Sequence, residues 1–184
     1  MTALFGVLIT LAVVFCIIGW FVGVSNKVNR AIVKIDESKS GVEIQLKRRF
    51  DILTQSMEIA KGYIKHEEKV FVNLRAVNSG MSVSEINETI ENQAQATKGL
   101  FALAENYPEL RSEELFSNLQ KQLTEENAQL AASKRAFNAN VTKLNNIVVS
   151  FPTSVVCSMK GQSKMEFIKE ENVDAIKDVN ISFS

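Results

Sequence analysis

The sequence predicts an all-α protein in which a single N-terminal transmembrane helix continues into an antiparallel bundle of long helices, followed by a short extended tail. Three observations predict this fold. Residues 1–26 carry no charge, apolar residues recur at three- and four-residue spacing through most of the remainder, and the only prolines, Pro108 and Pro152, punctuate those periodic stretches. We therefore divide the chain into an anchor (residues 1–26), a helical bundle (27–161) and a C-terminal tail (162–184).

The first helix is long and apolar enough to cross a membrane. Residues 4–24 are almost entirely Leu, Ile, Val, Phe, Ala and Gly, and as a helix they extend about 30 Å, the thickness of a bilayer's hydrocarbon core. Trp20 and Phe21 near the far end are typical of the interfacial aromatic belt. A cleaved signal peptide is disfavoured because no basic segment precedes the run and no A-x-A site follows it.

Basic residues flank the span on one side only. Lys27, Arg30 and Lys34 follow it before the first acidic residue, Asp36, and none precedes it. The positive-inside rule then predicts a single-pass membrane protein whose C-terminal domain lies in the cytoplasm.

Beyond the span, one apolar stripe predicts that the same helix continues to about Asn78. Charged residues fall on the opposite face, and Asn78, Ser79 and Gly80 resemble a helix C-terminus. The apolar positions are Leu46, Phe50, Leu53, Met57, Ala60, Ile64, Phe71 and Leu74.

Two further long helices and a short one are predicted. Ser82 and Glu85 have capping-box spacing and begin a second helix, polar enough to lie at a bundle edge, that runs to about residue 105. Pro108 begins a third helix, to about residue 150, whose apolar positions extend to Phe151. A short helix over residues 153–160 follows, capped by Gly161.

The tail differs in pattern from the bundle. Residues 162–178 are mixed and charged, whereas residues 179–183 alternate apolar and polar side chains. This alternation indicates a short strand or an ordered extended arm, and such a strand needs a partner, for which a second copy of the chain is one source.

Several ordered motifs resemble those of the LemA family. They are Gln-Leu-Lys-Arg-Arg-Phe-Asp at 45–51, Lys-Gly-Tyr at 61–63 with His-Glu at 66–67, Glu-Asn-Tyr-Pro-Glu-Leu at 105–110, Lys-Arg at 134–135 with Phe-Asn at 137–138, Asn145, and Phe-Pro at 151–152. The resemblance implies a membrane-anchored antiparallel helical bundle without an established biochemical activity, whose relatives have been linked to membrane and organelle biogenesis and to membrane proteases. Thr54 and Gln55 replace the family's usual Pro-Asn, which predicts a straighter first helix, and Lys39 replaces its usual tryptophan.

No catalytic constellation is complete, and the sequence predicts no enzyme, cofactor or metal site. His66 is the only histidine, and although His66 and Glu67 begin an H-E-x-x-H pattern, Val70 stands where the second ligand is needed. One histidine also cannot supply the two Glu-x-x-His motifs of a di-iron bundle. A nucleophile elbow, a P-loop and a G-x-G-x-x-G are absent from the sequence, and Cys16 and Cys157 lack metal-ligand spacing.

The candidate site residues are instead structural or partner contacts. Arg48 lies close to the apolar stripe, which predicts an interhelical clamp to Glu125 or Glu126, with a phosphate or acidic lipid as the alternative ligand. Asn138 and Asn145 lie seven residues apart on one helix face and are expected to be buried amides that set helix register. The full set is Gln45, Arg48, Arg49, Asp51, Tyr63, His66, Glu67, Arg135, Asn138 and Asn145.

Two functional classes remain open. The favoured one is a non-enzymatic membrane-anchored scaffold that self-associates or docks partners at the bilayer surface; the other is an accessory or regulatory subunit of a membrane enzyme such as a protease. We expect the lipid bilayer, further copies of the chain and membrane proteins as partners. Phe5, Gly6, Gly19 and Gly23 in the span are compatible with close helix packing. The 21 basic residues balance 21 acidic ones, so we expect no nucleic-acid partner.

Overall fold

The computed structural model describes residues 2–63 and 74–169 and confirms the all-α fold class. Its helices are α1 (Thr2–Lys61), α2 (Val83–Asn106), α3 (Pro108–Ser112), α4 (Glu114–Val149) and α5 (Thr153–Met159). Within the described ranges there is no strand, and the strand predicted at residues 179–183 lies outside them. The chain forms two compact units: a first unit of residues 1–37 and 139–166, and a second unit of residues 38–138 and 167–184.

In the first unit, α1 begins as an apolar helix without protein neighbours. Its large apolar side chains from Leu4 to Val22 are 41–72% exposed, apart from half-buried Phe21. The hydroxyl of Thr10 donates to the carbonyl of Gly6 at 2.8 Å, so this polar group is satisfied within the helix. By length and composition α1 is able to cross a membrane. Val24, the last residue of the apolar run, is 7% exposed and is the first α1 side chain buried against other parts of the protein. The apolar run therefore ends where α1 begins to pack against the rest of the chain.

The end of α4 and the whole of α5 cover the next part of α1. The amide of Asn140 donates to the carbonyl of Lys34 at 3.3 Å, and Lys160 Nζ donates to Asn29 Oδ1 at 3.0 Å. Since positions after Asn140 meet positions before Lys34, α4 is antiparallel to α1 here. The hydroxyl of Thr153 turns α5 back onto α4 by donating to the carbonyl of Ile147 at 2.7 Å. The unit's buried apolar residues are Val24, Val28, Ile35, Val141, Leu144, Val156 and Cys157.

The second unit has one hydrophobic core to which α1, α2, α3 and α4 all contribute. In it α2 runs in the same direction as α1, because Gln93 and Thr97 of α2 hydrogen-bond to Leu46 and Arg49 of α1 respectively. The core residues are Ile52, Leu53, Ala60, Ala96, Leu100, Leu103, Ala104, Leu110, Phe116, Leu119 and Leu123. Fully burying each large apolar side chain contributes roughly 1.5–3 kcal/mol, so this cluster dominates the unit's stability.

The end of α1 differs from the prediction. The helix ends at Lys61, where the amides of Gly62 and Tyr63 bond to the preceding carbonyls in a turn, and residues 74–78 are not helical. A continuous helix to Asn78 is therefore wrong, and residues 64–73 lie outside the described ranges. The reason is tertiary: the amide of Gly80 (φ +81°) donates to Glu43 Oε2 at 3.2 Å, so the chain must return along roughly 27 Å of α1 before α2 begins.

The start of α2 confirms the predicted capping box. The Ser82 amide donates to Glu85 Oε2 at 2.7 Å, and the Glu85 amide donates to Ser82 Oγ at 3.2 Å. The bond from the Ser82 amide is the main cause that lowers the pKa of Glu85, and the Ser82 hydroxyl and Arg75 act in the same direction. One face of α2 is buried along its whole length, including Gln93, and residues such as Glu91, Gln95 and Lys98 are exposed on the other.

The predicted third helix is divided in two. Pro108 occupies the first turn of α3, as predicted, but the backbone is extended at Glu113 and α4 begins at Glu114. The short helix α5 matches its predicted range to within a residue, and Gly161 follows it with φ +66°, a conformation that favours glycine.

Candidate functional site

A layer of polar side chains lies buried between α1 and α2 in the second unit. Arg49, Gln93 and Thr97 are 2%, 0% and 7% exposed. Arg49 Nη2 donates to Thr97 Oγ1 at 3.3 Å, the Thr97 hydroxyl donates to the carbonyl of Gln93 at 2.7 Å, and Gln93 Nε2 donates to the carbonyl of Leu46 at 2.9 Å. This chain of bonds, which we call the polar layer, fixes α2 against α1 at one register.

The buried arginine is Arg49 and not Arg48. The side chain of Arg48 on α1 is exposed, so the predicted interhelical clamp through its guanidinium is wrong. The next residue points about 100° further around the helix, and Arg49 lies three residues after Leu46 and four before Leu53, inside the apolar stripe. That spacing was the signal that identifies the buried cation.

Burial of Arg49 constrains what this layer does chemically. A guanidinium stays charged at physiological pH and needs polar neighbours when it leaves water. Side-chain oxygens of Gln45, Gln93 and Glu126 are also buried in the second unit, and Glu43 is 9% exposed. Since Arg49 and Gln93 form hydrogen bonds between α1 and α2, the polar layer has a structural role: it specifies one packing arrangement of these two helices.

Two asparagines hold the extended residues that follow α5. In the first unit, Asn145 Nδ2 donates to the carbonyl of Met165 at 3.0 Å while the Met165 amide donates to Asn145 Oδ1 at 2.8 Å. In the second unit, Asn138 forms the same pair with Ile168, at 2.8 and 3.0 Å. The amide of Lys169 donates to Asn87 Oδ1 at 2.9 Å.

These amides therefore have a different neighbour from the one expected. An asparagine side chain offers one donor group and one acceptor, so it pairs with a single peptide unit much as an adjacent strand does. Asn138 and Asn145 are half-buried and contact the tail's backbone, rather than setting register between helices. Residues 162–169 have a partner within their own chain.

The remaining candidates are not brought into one site. Tyr63 donates its hydroxyl to Glu113 Oε2 at 3.0 Å, and this bond to a carboxylate is the main cause that raises the pKa of Tyr63. Asp51 and Arg135 are exposed on α1 and α4. His66 and Glu67 lie outside the described residues. Across residues 2–63 and 74–169, no group of three or more His, Cys, Asp or Glu side chains is placed to hold a metal.

Comparison with known proteins agrees with this architecture. The model of the LemA family matches residues 38–183, which is most of the chain beyond the apolar run. A curated relative, "Protein LemA" from Metamycoplasma hominis, is 21% identical over 167 residues, covering 88% of this chain and 76% of the relative. The match includes the helices that carry the polar layer and the asparagines that hold the tail. The chain belongs to the LemA family.

Proposed function

We propose that this chain is a non-enzymatic scaffold, anchored in a membrane by α1, that self-associates or docks partner proteins at the bilayer surface. The observation that carries the proposal is the continuity of α1. One 60-residue helix begins with exposed apolar side chains and goes on to contribute Leu46, Leu53 and Ala60 to the buried core. The anchor and the first helix of the bundle are therefore one continuous helix, with no break in the chain between them.

The arrangement of polar groups supports an interaction role over catalysis. Arg49 and Gln93 donate to the neighbouring helix, and Thr97 donates to the Gln93 carbonyl within α2. The side chains of Asn138 and Asn145 bond to backbone groups of the same chain. A catalytic site needs titratable groups that converge on space for a substrate. Side chains whose hydrogen bonds are all within the protein stabilise its structure and do not form a substrate site.

The orientation we propose places the bundle in the cytoplasm. Lys27, Arg30 and Lys34 are exposed directly after the apolar run, which is the side that the positive-inside rule assigns to the cytoplasm. Protease protection of a C-terminal tag in sealed vesicles of known sidedness tests this, since digestion only from the periplasmic or external side contradicts it.

Self-association is supported by the free space on the apolar part of α1. A side chain added at Gly6, Gly19 or Gly23 meets no atom within 4 Å, so these positions are open to a second helix. Chemical crosslinking of the full chain in native membranes, read by mass spectrometry, is the test. Ladders of the chain with itself, or with several proteins, support a scaffold.

The same crosslinking experiment separates the alternatives. A single stoichiometric enzyme partner, such as a membrane protease, points to an accessory or regulatory subunit. Exclusive recovery of monomer, at a crosslinker density that captures a known membrane dimer, contradicts self-association and docking alike.

A further inference from the structure

We propose that the corner between α4 and α5 is a second membrane contact, which inserts apolar side chains into an anionic lipid surface beside the point where α1 emerges. The proposal rests on the proposed membrane anchor. The corner consists of Val149, Phe151, Val155 and Met159, which are 54%, 85%, 51% and 72% exposed. We call these four side chains the apolar corner.

Phe151 departs from the rest of its helix. The apolar stripe of α4 predicts a core position there, and earlier members such as Phe137, Val141 and Leu144 are indeed 0% exposed. Phe151 instead points into solvent with the largest exposed fraction among the large apolar residues that the structure shows as exposed. An exposed cluster of this kind on a small unit marks a surface that binds lipid or protein.

The register of α4 on α1 places the corner at the level of the lipid. Asn140 contacts Lys34, and nine residues further along α4, Val149 lies level with a position nine residues earlier on α1, which is Ser25. Phe151 is beyond that point, level with the end of the apolar run. The bond from Lys160 to Asn29 holds the far side of the corner to the next turn of α1. An amphipathic surface at this level reaches about 5–10 Å into the headgroup region.

The charges around the corner favour an anionic bilayer as the occupant. Residues 25–35 and 139–165 include no acidic residue, although the whole chain is neutral. The exposed basic side chains in these two stretches are Lys27, Arg30, Lys34, Lys143, Lys160 and Lys164. Apolar side chains surrounded by cations are the composition of a surface that lies on anionic lipid, and a hydrophobic protein partner would not need them.

Tryptophan quenching by brominated lipid tests the proposal in the full-length chain. Trp20 is the only tryptophan and serves as the reference for the span. In a Trp20→Phe background, Phe151→Trp and Met159→Trp report on the corner, and Leu115→Trp, at an exposed site (57%) in the first turn of α4, is the matched control. The vesicles contain brominated phosphatidylcholine with or without phosphatidylglycerol.

We expect severalfold stronger quenching at positions 151 and 159 than at 115, and a further increase with phosphatidylglycerol. Two outcomes overturn the proposal and are distinguishable. Quenching of Trp20 in the native chain, with corner probes that behave like the control, leaves the anchor in place and refutes the second contact. Absence of Trp20 quenching refutes the membrane anchor, and the proposed membrane contact of the corner, which rests on the anchor, falls with it.

Charge reversal tests the lipid specificity. Lys143→Glu with Lys164→Glu should lower the equilibrium constant for insertion of the corner into phosphatidylglycerol vesicles by roughly fivefold for each lysine. The same change should have hardly any effect in phosphatidylcholine. The control pair, Lys98→Glu with Lys121→Glu, makes the same change in net charge at exposed positions of the second unit. Equal losses in both pairs, or a loss independent of phosphatidylglycerol, contradict recognition of anionic lipid by this surface.

Discussion

Replacing Asn138 with aspartate isolates one contact between α4 and the tail without changing side-chain volume. The new carboxylate still accepts from the Ile168 amide, but an oxygen now faces the Ile168 carbonyl in place of the amide nitrogen that donated to it at 2.8 Å. Losing one hydrogen bond costs about 0.5–1.5 kcal/mol, and the carbonyl of buried Ile168, which loses this donor, adds to the cost. We expect a local loss of roughly 1–2 kcal/mol.

Hydrogen exchange measures this loss directly. Because 1.4 kcal/mol corresponds to a tenfold change in an opening equilibrium, the Ile168 and Lys169 amides should exchange roughly 5–30 times faster in Asn138→Asp. Amides in the middle of α2, which do not depend on the tail, should keep their protection. Asn146→Asp, at an exposed position of the same helix, is the control. Unchanged exchange at Ile168 refutes the role given to the Asn138 amide.

Other substitutions separate buried from exposed groups. Arg49→Ala should lower the free energy of unfolding by roughly 2–4 kcal/mol, because it removes a buried aliphatic stem and the donor to Thr97. The control, Arg48→Ala, should change the free energy of unfolding by less than about 0.5 kcal/mol. Denaturant titration followed by circular dichroism measures both values. Since folding lowers the pKa of Glu85, its contribution is present above the unfolded pKa and lost as the pH falls through the folded one, so the stability gap between the native chain and Glu85→Gln should close on acidification. Folding raises the pKa of Tyr63, so its contribution to stability is present at neutral pH and lost as the pH rises through the folded value. The stability gap between the native chain and Tyr63→Phe, followed by thermal unfolding, should therefore close in alkali.

Local sequence signals predicted the helices well where the helix ends carry their own chemistry. The capping box at Ser82 and the proline at the start of α3 begin helices where expected, and Gly161 follows the end of α5. These signals act through bonds and dihedral preferences within a few residues, which a sequence displays directly.

The end of α1 was beyond such reasoning because tertiary structure decides it. The periodic apolar stripe continues past Lys61, yet the chain turns there and returns to place Gly80 beside Glu43. Gly62 is the only glycine or proline in this turn, and such a single glycine also occurs inside helices, so the sequence alone does not fix the helix end there.

The candidate contacts were only partly predictable for a similar reason. Arg48 lies between Leu46 and Phe50 in sequence, which favours it as the arginine near the core, whereas the structure buries Arg49. Asn138 and Asn145 were correctly singled out as a pair on one helix, whereas their partner, an extended backbone many positions later, follows from the fold and not from any local pattern.

The reactivity of cysteines along α1 tests most directly whether one helix spans the membrane and carries the bundle. Cys16 is exposed on the protein surface, but in the proposed span lipid covers it, and Cys157 is buried within the protein. Neither cysteine should therefore react with a membrane-impermeant maleimide in sealed vesicles. Glu37→Cys, at an exposed position beyond the span, should react only when the cytoplasmic face is outward. Labelling of Cys16 from the aqueous phase, or labelling of Glu37→Cys from the opposite face alone, contradicts the account.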